Sequence, residues 1–537
     1  MLELAYQRHH KKRTDEKPPL AEYSLRIRDD ALTWWRDHVE SGRLVLPRRE
    51  QPQGPGRRLL LRGGYALEVA GGQAWILKTP QREADPDLCL RNYWRIVEAI
   101  LTNYEPAVLE RESAVQLYLE DPTPPPRLRI RQASSRSNYT FRLCDDLKVQ
   151  VMPGEIALEE SRGIAIDGAT IRVDRPERTL LALPLTTLRD HLEKVAVWLR
   201  SLVVSRPALE ADWTRMPRPL VLRRLAEVAR DGGNNRLADQ LDELLAVEHG
   251  EHISRARTGV GSEIVVPPVV SQVEAVSPWL ARHEVVFRRF FDQMAEAIGA
   301  GADDFARFDR AELTRQARAA KSHDAYHSTT IEGYRITPEE VSAVIGGREV
   351  GGHDPEDVKA RMAVKGYSIA FDRCLAVVND STAPLEITES LIQQLYFNLF
   401  SPSVEAGIVD TGALRGWRSS PAYLRGTRYV PPSPEKVPQL MQQHVRLVNE
   451  KREPPIPRAA LAHLDFAAVH PFPDGNGRIA RFLMNLCLVT AGLPWVTIRT
   501  EDRLRYFQAL DAATAGDDAR PFARFILEYV QRAADSA

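Results

Sequence analysis

The sequence predicts a protein of mixed class, with an α+β N-terminal half that opens on a winged helix-turn-helix and an all-α C-terminal half broken by one β-hairpin. Three observations predict it. Short β-type runs bounded by Gly, Pro and Asn cluster in residues 57–78 and 127–174. An aperiodic stretch with Gly, Ser and Pro-Pro over residues 248–278 reads as a linker. Beyond Trp279 nearly every segment repeats apolar residues at i, i+3, i+4 and i+7, the spacing of one helix face. A length of 537 residues fits three domains, four at most, at about 100–200 residues each.

The elements justify that division in order. Residues 1–20 are polar and end near Lys17-Pro18-Pro19, so they read as a frayed tail. Ala31–Val39 has helical spacing and is followed by Gly42. Arg57–Arg62 and Tyr65–Val69, joined by Gly63-Gly64, read as strands, with a third at Ala74–Lys78. A helix, a basic segment at Pro47-Arg48-Arg49 and a small hairpin make the winged module, residues 1–80. Residues 81–247 form a second, α+β region. Tyr93, Ile96, Val97, Ile100 and Leu101 share a helix face, and Ser113–Leu119 resumes after Pro106. Five strand-like runs then fill residues 127–174, and Arg189–Leu245 returns to helix.

Residues 279–537 are read as a helical domain, with helices in stretches such as HEVVFRRFFDQMAEAI, TESLIQQLYFNLF and PRAALAHLDFAAV. The exception is Ser419–Pro432. Tyr423, Tyr429 and their neighbours alternate around Gly426 and end in Pro-Pro, the signature of an isolated hairpin that is a candidate docking edge.

Composition narrows the function. Hydrophobic residues make up 43% and charged ones 27%, a globular balance, and the net charge of −1 provides no global attraction for nucleic acid or an anionic membrane. Four cysteines, Cys89, Cys144, Cys374 and Cys487, include no C-x-x-C pair. The N-terminus lacks the apolar stretch of a signal peptide, so the expectation is a reduced, cytoplasmic protein with no membrane partner.

The densest chemistry lies in His470-Pro471-Phe472-Pro473-Asp474-Gly475-Asn476-Gly477-Arg478-Ile479-Ala480-Arg481. A helix ends near Val469, a tight loop with two glycines follows, and a second helix starts near Gly477. Gly475 and Gly477 let backbone N–H groups at a helix N-terminus approach an anion. Arg478 and Arg481 can each fork onto phosphate oxygens. Asp474 is a hard carboxylate, sufficient for a Mg²⁺ that keeps most of its waters and takes phosphate oxygens. His470 can accept a proton near neutral pH. Together these residues describe a polyphosphate cradle with a metal ligand and a base.

The segment matches the Fic family motif, H-P-F-x-[D/E]-G-N-G-R-x-x-R, at every specified position, and the chain resembles that family from about Val285 to Tyr529. The resemblance implies a helical Fic core and protein adenylylation: AMP passes from ATP to a Ser, Thr or Tyr hydroxyl of a target protein and pyrophosphate leaves. It further implies that His470 deprotonates the acceptor, that Asp474 holds Mg²⁺, and that Asn476 with the Gly475 and Gly477 amides cradles the α- and β-phosphates. Arg478 and Arg481 would take the β- and γ-phosphates, Phe472 would anchor the loop, and Tyr506 of a downstream helix pair joins the nucleotide set. The Ser419–Pro432 segment resembles the family's flap, which implies target docking at Tyr423, Gly426 and Tyr429. Gly477 differs from the Lys of the reversed, phosphorylating Doc-type variant. Thr514 stands where many relatives have Asn near the adenine.

Upstream, Ser328, Glu332 and Gly333 match the family's inhibitory [S/T]-x-x-x-E-[G/N] signature. The match implies an inhibitory helix at about residues 322–333 whose Glu332 neutralises Arg481. Removal of AMP is a second activity seen in relatives. Residues 30–245 resemble AbiE-type antitoxins, with Arg43, Arg48, Arg49, Arg57, Arg58 and Arg62 as a local basic footprint. The alternative function is therefore a DNA-binding autoregulator whose Fic half is a toxin or nucleotide sensor. Homodimerisation stays open.

Overall fold

The computed structural model describes residues 20–535 apart from 81–84, 86, 145, 157–160, 250–276, 300–304, 306, 349–350, 352–353, 381–384 and 451–452. The expected frayed tail and nearly all of the expected linker lie outside the described residues. The chain divides into two compact units, Met1–Ala281 and Arg282–Ala537. No helix among the described residues is long and apolar enough to cross a membrane.

The N-terminal unit begins with α1 (Leu20–Glu40), β1 (Val45–Pro47), α2 (Gly54–Arg62), β2 (Ala66–Val69) and β3 (Ala74–Leu77). The strands pair antiparallel in the order β1-β3-β2, over a small core that contains Ala31, Leu46, Leu60 and Trp75. Arg57–Arg62, expected as a strand, is helix. Pro55 starts it, Leu60 is fully buried, and Gly64 at φ 75° follows its end. A short apolar run cannot by itself choose between the two periods, and burial of one Leu chose the helix. The winged reading thus keeps its paired β2–β3, but β1 was missed, and the segment between β1 and β2 holds one α-helix after a single 3₁₀ turn.

The rest of that unit is built on a six-stranded mixed sheet. Helices α3 (Leu88–Arg91) and α4 (Tyr93–Asn103) lead into β4 (Ala107–Leu109), and α5 (Arg111–Tyr118) leads into β5 (Arg127–Gln132), β6 (Tyr139–Cys144), β7 (Leu147–Pro153), β8 (Ser161–Ile166) and β9 (Ala169–Asp174). All five expected strand runs form, and β4 is the addition. The order is β6-β7-β5-β4-β9-β8, with β5·β7 and β4·β9 parallel. The expected face of α4 (Tyr93, Ile96, Val97, Ile100 and Leu101) is buried against the sheet's Leu128, Ile130, Val149 and Ile171. Buried Arg131 meets Asp174 and Glu110 across the sheet, so its charge is compensated where water is excluded. Helices α6 (Pro176–Ala182), α7 (Leu185–Asp190), α8 (Leu192–Ser201), α9 (Arg206–Arg215), α10 (Pro219–Asp231) and α11 (Asn235–His249) complete the unit.

The C-terminal unit is helical: α12 (Pro278–Ile298), α13 (Arg310–Ile331), α14 (Pro338–Ile345), α15 (Pro355–Asp380), α16 (Glu389–Glu405), α17 (Val437–Glu450), α18 (Pro455–Val469), α19 (Asn476–Thr490), α20 (Arg503–Thr514) and α21 (Arg520–Asp535). At the centre α18 and α19 pack together, and every residue of α18 except Ala467 is buried. Helix α16 lies close against α15 because Gly366 leaves no side chain at the crossing; a Cβ there would run into the Leu399 carbonyl. That close approach brings Phe400 to the motif loop.

The expected hairpin at Ser419–Pro432 does not form strands. The segment turns at Gly426, φ 73°, without a β-ladder. Side chains hold it instead: Thr427 donates to Asp511, Arg428 to the Ala515 carbonyl, and the Tyr429 hydroxyl to the Ala468 carbonyl at 3.0 Å. Arms tied separately to neighbouring helices have no need to pair with each other.

Candidate active site

The loop between α18 and α19 brings the motif together. Helix α18 ends on His470 in the left-handed conformation, φ 51° and ψ 57°. A non-glycine residue there carries strain, which the surroundings must hold. Arg418 supplies much of that hold, because its Nε donates to the His470 carbonyl at 2.7 Å and its backbone N–H to Pro471 O at 2.8 Å. The His470 Nδ1 lies 3.3 Å from the Ala467 carbonyl, which can only accept, so Nδ1 carries the proton and Nε2 is the free base. Burial pushes the imidazole down to about 4, and the Arg418 charge adds to that against the opposing pull of Ala467, Glu332 and Asp474. The ring is therefore neutral, and able to accept a proton, at neutral pH.

Asn476 is bonded to the loop itself. Its Oδ1 accepts from the Phe472 N–H at 2.9 Å and its Nδ2 donates to the Phe472 carbonyl at 2.8 Å. Each polar end of the side chain bonds the loop once, so Asn476 shapes the cradle, and its NH₂ keeps a second donor. Phe472 is fully buried and stacks on Tyr396 at 3.8 Å between centroids, the anchor expected of it. Gly475, at φ 82°, caps α19; a Cβ on it would meet the Phe400 ring at 2.8 Å. A Cβ on Gly477 would run into the Glu332 carboxylate. Both glycines are thus required by close approach, and the first N–H groups of α19 have no carbonyl of their own helix to bond.

Two buried guanidinium groups line this helix end. Arg478 is fully buried, with its Cζ 5.2 Å from both the Phe400 and the Tyr334 rings. Its Nη2 is 3.4 Å from Asp474 Oδ2, while Nε and Nη1 are buried without a protein acceptor. Arg481 donates from Nε to Ser328 Oγ at 2.8 Å, and from Nη2 to the Ser328 carbonyl at 2.9 Å and to Glu332 Oε1 at 2.7 Å. Its Nη1 is also buried without an acceptor. Burial alone would lower its pKa; the Glu332 charge reverses that and raises it, so the cation is secure.

The expected inhibitory segment is therefore in contact with the motif. Helix α13 is longer than the sequence suggested and ends at Glu332, after which Gly333 takes φ 96°. Groups the sequence reading missed hold it. Buried Asp324 accepts from Tyr367 at 2.8 Å, Trp495 at 3.1 Å and Thr497 at 2.8 Å. Arg503 Nε donates to the Ile331 carbonyl at 2.8 Å, and His327 Nδ1 accepts from the Thr500 N–H at 3.1 Å. No spacing rule could have linked these, because each pair is separated by dozens of residues in sequence.

Other expected site residues lie elsewhere. Tyr506 is buried, and its hydroxyl is 2.7 Å from His463 Nε2, so it belongs to the wall behind Arg481 and does not line an open nucleotide surface. Burial and the Arg481 charge push His463 down to about 3, and burial pushes the Tyr506 phenol up to about 12. Thr514 bonds back to the Leu510 carbonyl at 3.0 Å within α20. Tyr423 is 38% exposed, whereas Tyr429 is tied to α18 next to His470. Of the basic footprint in the N-terminal unit, Arg43, Arg49 and Arg57 sit against Glu50, Glu105 and Glu68, so three of the six arginines have an acidic neighbour.

The metal expectation can be tested against the donors. Among the described residues no group of three or more His, Cys, Asp or Glu could hold a metal ion. Asp474 is 56% exposed in its side chain and stands beside the N-terminus of α19. One carboxylate completed by water and phosphate oxygens fits Mg²⁺, which is seldom caged by protein alone. Asp474 Oδ1 accepts the Gly475 N–H at 2.6 Å, which orients the group.

Residues 386–488, which span α16 to α19 and the whole motif, match the model of the Fic/DOC family. Similar proteins include Protein adenylyltransferase Fic of Drosophila mojavensis, 34% identical over 231 residues, which are 42% of this chain and 42% of that protein. The protein of the same name in Drosophila grimshawi is 34% identical over 236 residues, 42% of this chain and 44% of that protein. The chain thus spans less than half the length of these relatives. Among solved structures, a Fic domain containing signaling protein from Bacteroides thetaiotaomicron aligns with a TM-score of 0.37 at 24% identity, over 47% of this chain and 94% of that one. The motif is complete, its residues meet at one helix junction, and the segment around them, residues 386–488, is similar to the Fic/DOC family.

Proposed function

We propose that this chain transfers AMP from ATP to a hydroxyl side chain of another protein, and that Glu332 restrains the transfer by holding Arg481. The observation that carries this reading is the set of buried donors without acceptors, on Arg478 and Arg481, beside the N-terminus of α19 and the neutral His470. Buried guanidinium N–H groups left without partners are costly unless an anion satisfies them, and a polyphosphate supplies several oxygens at once. The names of the relatives, both adenylyltransferases, support the same reading.

In the reaction the acceptor oxygen attacks the α-phosphorus, the bond from that phosphorus to the bridging oxygen of the β-phosphate breaks, and pyrophosphate leaves. His470 Nε2 takes the hydroxyl proton as the new P–O bond forms, while Nδ1 stays bonded to Ala467. The α19 N-terminus and Arg478 hold the α- and β-phosphates, and Arg481, when free of Glu332, holds the γ-phosphate. Asp474 would hold a Mg²⁺, which supplies charge neutralisation on the leaving phosphates. Catalysis here is mostly positioning and charge stabilisation. Incubation of a cell lysate and α-labelled ATP with wild type and Glu332→Gly tests the proposal. Labelled protein that increases with Glu332→Gly supports it; no label from either form would refute it.

A further inference from the structure

Tyr334 carries no assignment in the motif reading, yet it touches both Asp474 and Arg478 of the motif. It follows Gly333, whose φ of 96° turns the chain so that residues on both sides of it face the motif. On one side Glu332 reaches Arg481 at 2.7 Å. On the other, the Tyr334 ring lies 5.2 Å from the Arg478 Cζ and its hydroxyl donates to Asp474 Oδ2 at 3.4 Å. The same Oδ2 faces Arg478 Nη2 at 3.4 Å, and Oδ1 is taken by the Gly475 N–H. Each oxygen of the one carboxylate suited to a metal therefore already has a protein donor, and one of those donors comes from the inhibitory segment.

We propose that Tyr334 is a second inhibitory contact, which covers Asp474 and Arg478 and so closes the metal and β-phosphate side of the site while Glu332 closes the γ-phosphate side. The proposal rests on the adenylyltransferase reading and deepens it. The physical basis is competition. A divalent cation on Asp474 competes with hydrogen-bond donors for the lone pairs of the carboxylate, and the phenol hydrogen takes one of those on Oδ2. Binding of cation and nucleotide and retention of Tyr334 over the loop are then mutually unfavourable, a linkage that must act equally in both directions. Glu332 and Tyr334 are separated only by Gly333, so displacement of either loosens the other. This predicts that metal and nucleotide oppose the closed segment together.

The test measures binding, so it does not depend on turnover. ADP affinity is measured by calorimetry with and without Mg²⁺ for wild type, Tyr334→Phe and Tyr334→Ala, with thermal melts to show that each variant folds. Loss of a hydrogen bond to a carboxylate should strengthen the Mg²⁺-dependent part of ADP binding by about three- to tenfold in Tyr334→Phe, with at least as much in Tyr334→Ala. An unchanged Mg²⁺ dependence in both folded variants would overturn the proposal. Weaker ADP binding with and without Mg²⁺ would also overturn it, making Tyr334 a support that positions Arg478. If transfer by Glu332→Gly is absent while Tyr334→Phe still tightens metal-dependent binding, the enzyme reading fails and the metal linkage stands.

Discussion

His470 shows how much a single side chain depends on what surrounds it. Its backbone is held left-handed by Arg418, its tautomer is set by Ala467, and burial keeps it neutral. Replacement of His470 by Ala should abolish transfer, by about 10²–10⁴-fold, and leave ATP binding within a few-fold of wild type. Labelled-ATP turnover beside calorimetry measures both, and retained turnover would mean that another group is the base. The pH profile carries a sign. The imidazole is held down to about 4, so the base form persists well below neutrality, and kcat/KM should decline only as pH approaches about 4. A decline centred near the ordinary histidine value would show that the burial seen here does not persist in the working enzyme. Asn476 acts through the loop, so Asn476→Ala should lower the melting temperature and kcat together, since two hydrogen bonds to Phe472 are lost.

At the scale of elements, the helix that carries Ser328 and ends at Glu332 is no loosely attached lid. Helix α13 is clamped by Asp324, His327 and the cap from Arg503, besides Ser328 and Glu332. On the proposed reading, relief of inhibition is expected to be a local movement of Glu332, with the helix kept in place. Glu332→Gly should raise transfer, and the double variant Glu332→Gly/Arg481→Ala should lose most of that gain, because the freed Arg481 is the agent of activation. A double-mutant cycle on transfer rates measures the coupling; full additivity would exclude this pair as the restraint. The α15–α16 crossing gives a second test. Gly366→Ala would push α16 off its seat and with it Phe400, which lies against Gly475 and Arg478. We expect a loss of stability of about 1–3 kcal/mol from overpacking, with weaker ATP binding in the same variant. For the loop at Ser419–Pro432, Tyr423→Asp probes target docking at a side chain that is 38% exposed, whereas Tyr429 is tied to the end of α18. Tyr423→Asp should reduce labelling of protein more than ATP affinity; an equal loss of both would point to the site itself.

At the scale of the whole chain, each unit has its own buried ionic centre, and the one in the C-terminal unit joins three helices. Asp465 of α18 is fully buried, 3.0 Å from His283 Nε2 of α12 and 3.1 Å from His444 Nδ1 of α17. Burial would raise its pKa, but the two imidazoles hold it down at about 2. A carboxyl held below its unfolded value contributes stability that is fully present above about pH 4 and is lost as pH falls toward about 2. Asp465→Asn should therefore destabilise this unit by about 3 kcal/mol at neutral pH, and by progressively less as pH falls through that window. Melting curves across that range check it, and a destabilisation independent of pH would show that packing, not charge, is what Asp465 provides.

Helical periodicity after Trp279, strand runs over residues 127–174 and the His470–Arg481 motif were legible because each is local: a repeat of 3.6 or 2, or a loop whose chemistry lies within one helix junction. The match of Ser328 and Glu332 to an inhibitory signature was legible too, although its partner Arg481 lies far along the chain. What the sequence left undecided is where an apolar or polar residue finds its partner. RRLLLR reads equally as strand or helix until Leu60 is buried, and the alternation around Gly426 reads as a hairpin until Thr427, Arg428 and Tyr429 find helices to bond. That Asn476 also braces Phe472 from both its ends is visible only in the fold. Tyr334, Asp324, Arg418 and Phe400 bear no local mark at all, because their roles exist only across contacts between segments distant in sequence. The sequence by itself determined which groups could do chemistry and which segments could be helix or strand. Only the tertiary structure decided which of those groups are free to meet a ligand, because that depends on hydrogen-bond partners brought from elsewhere in the chain.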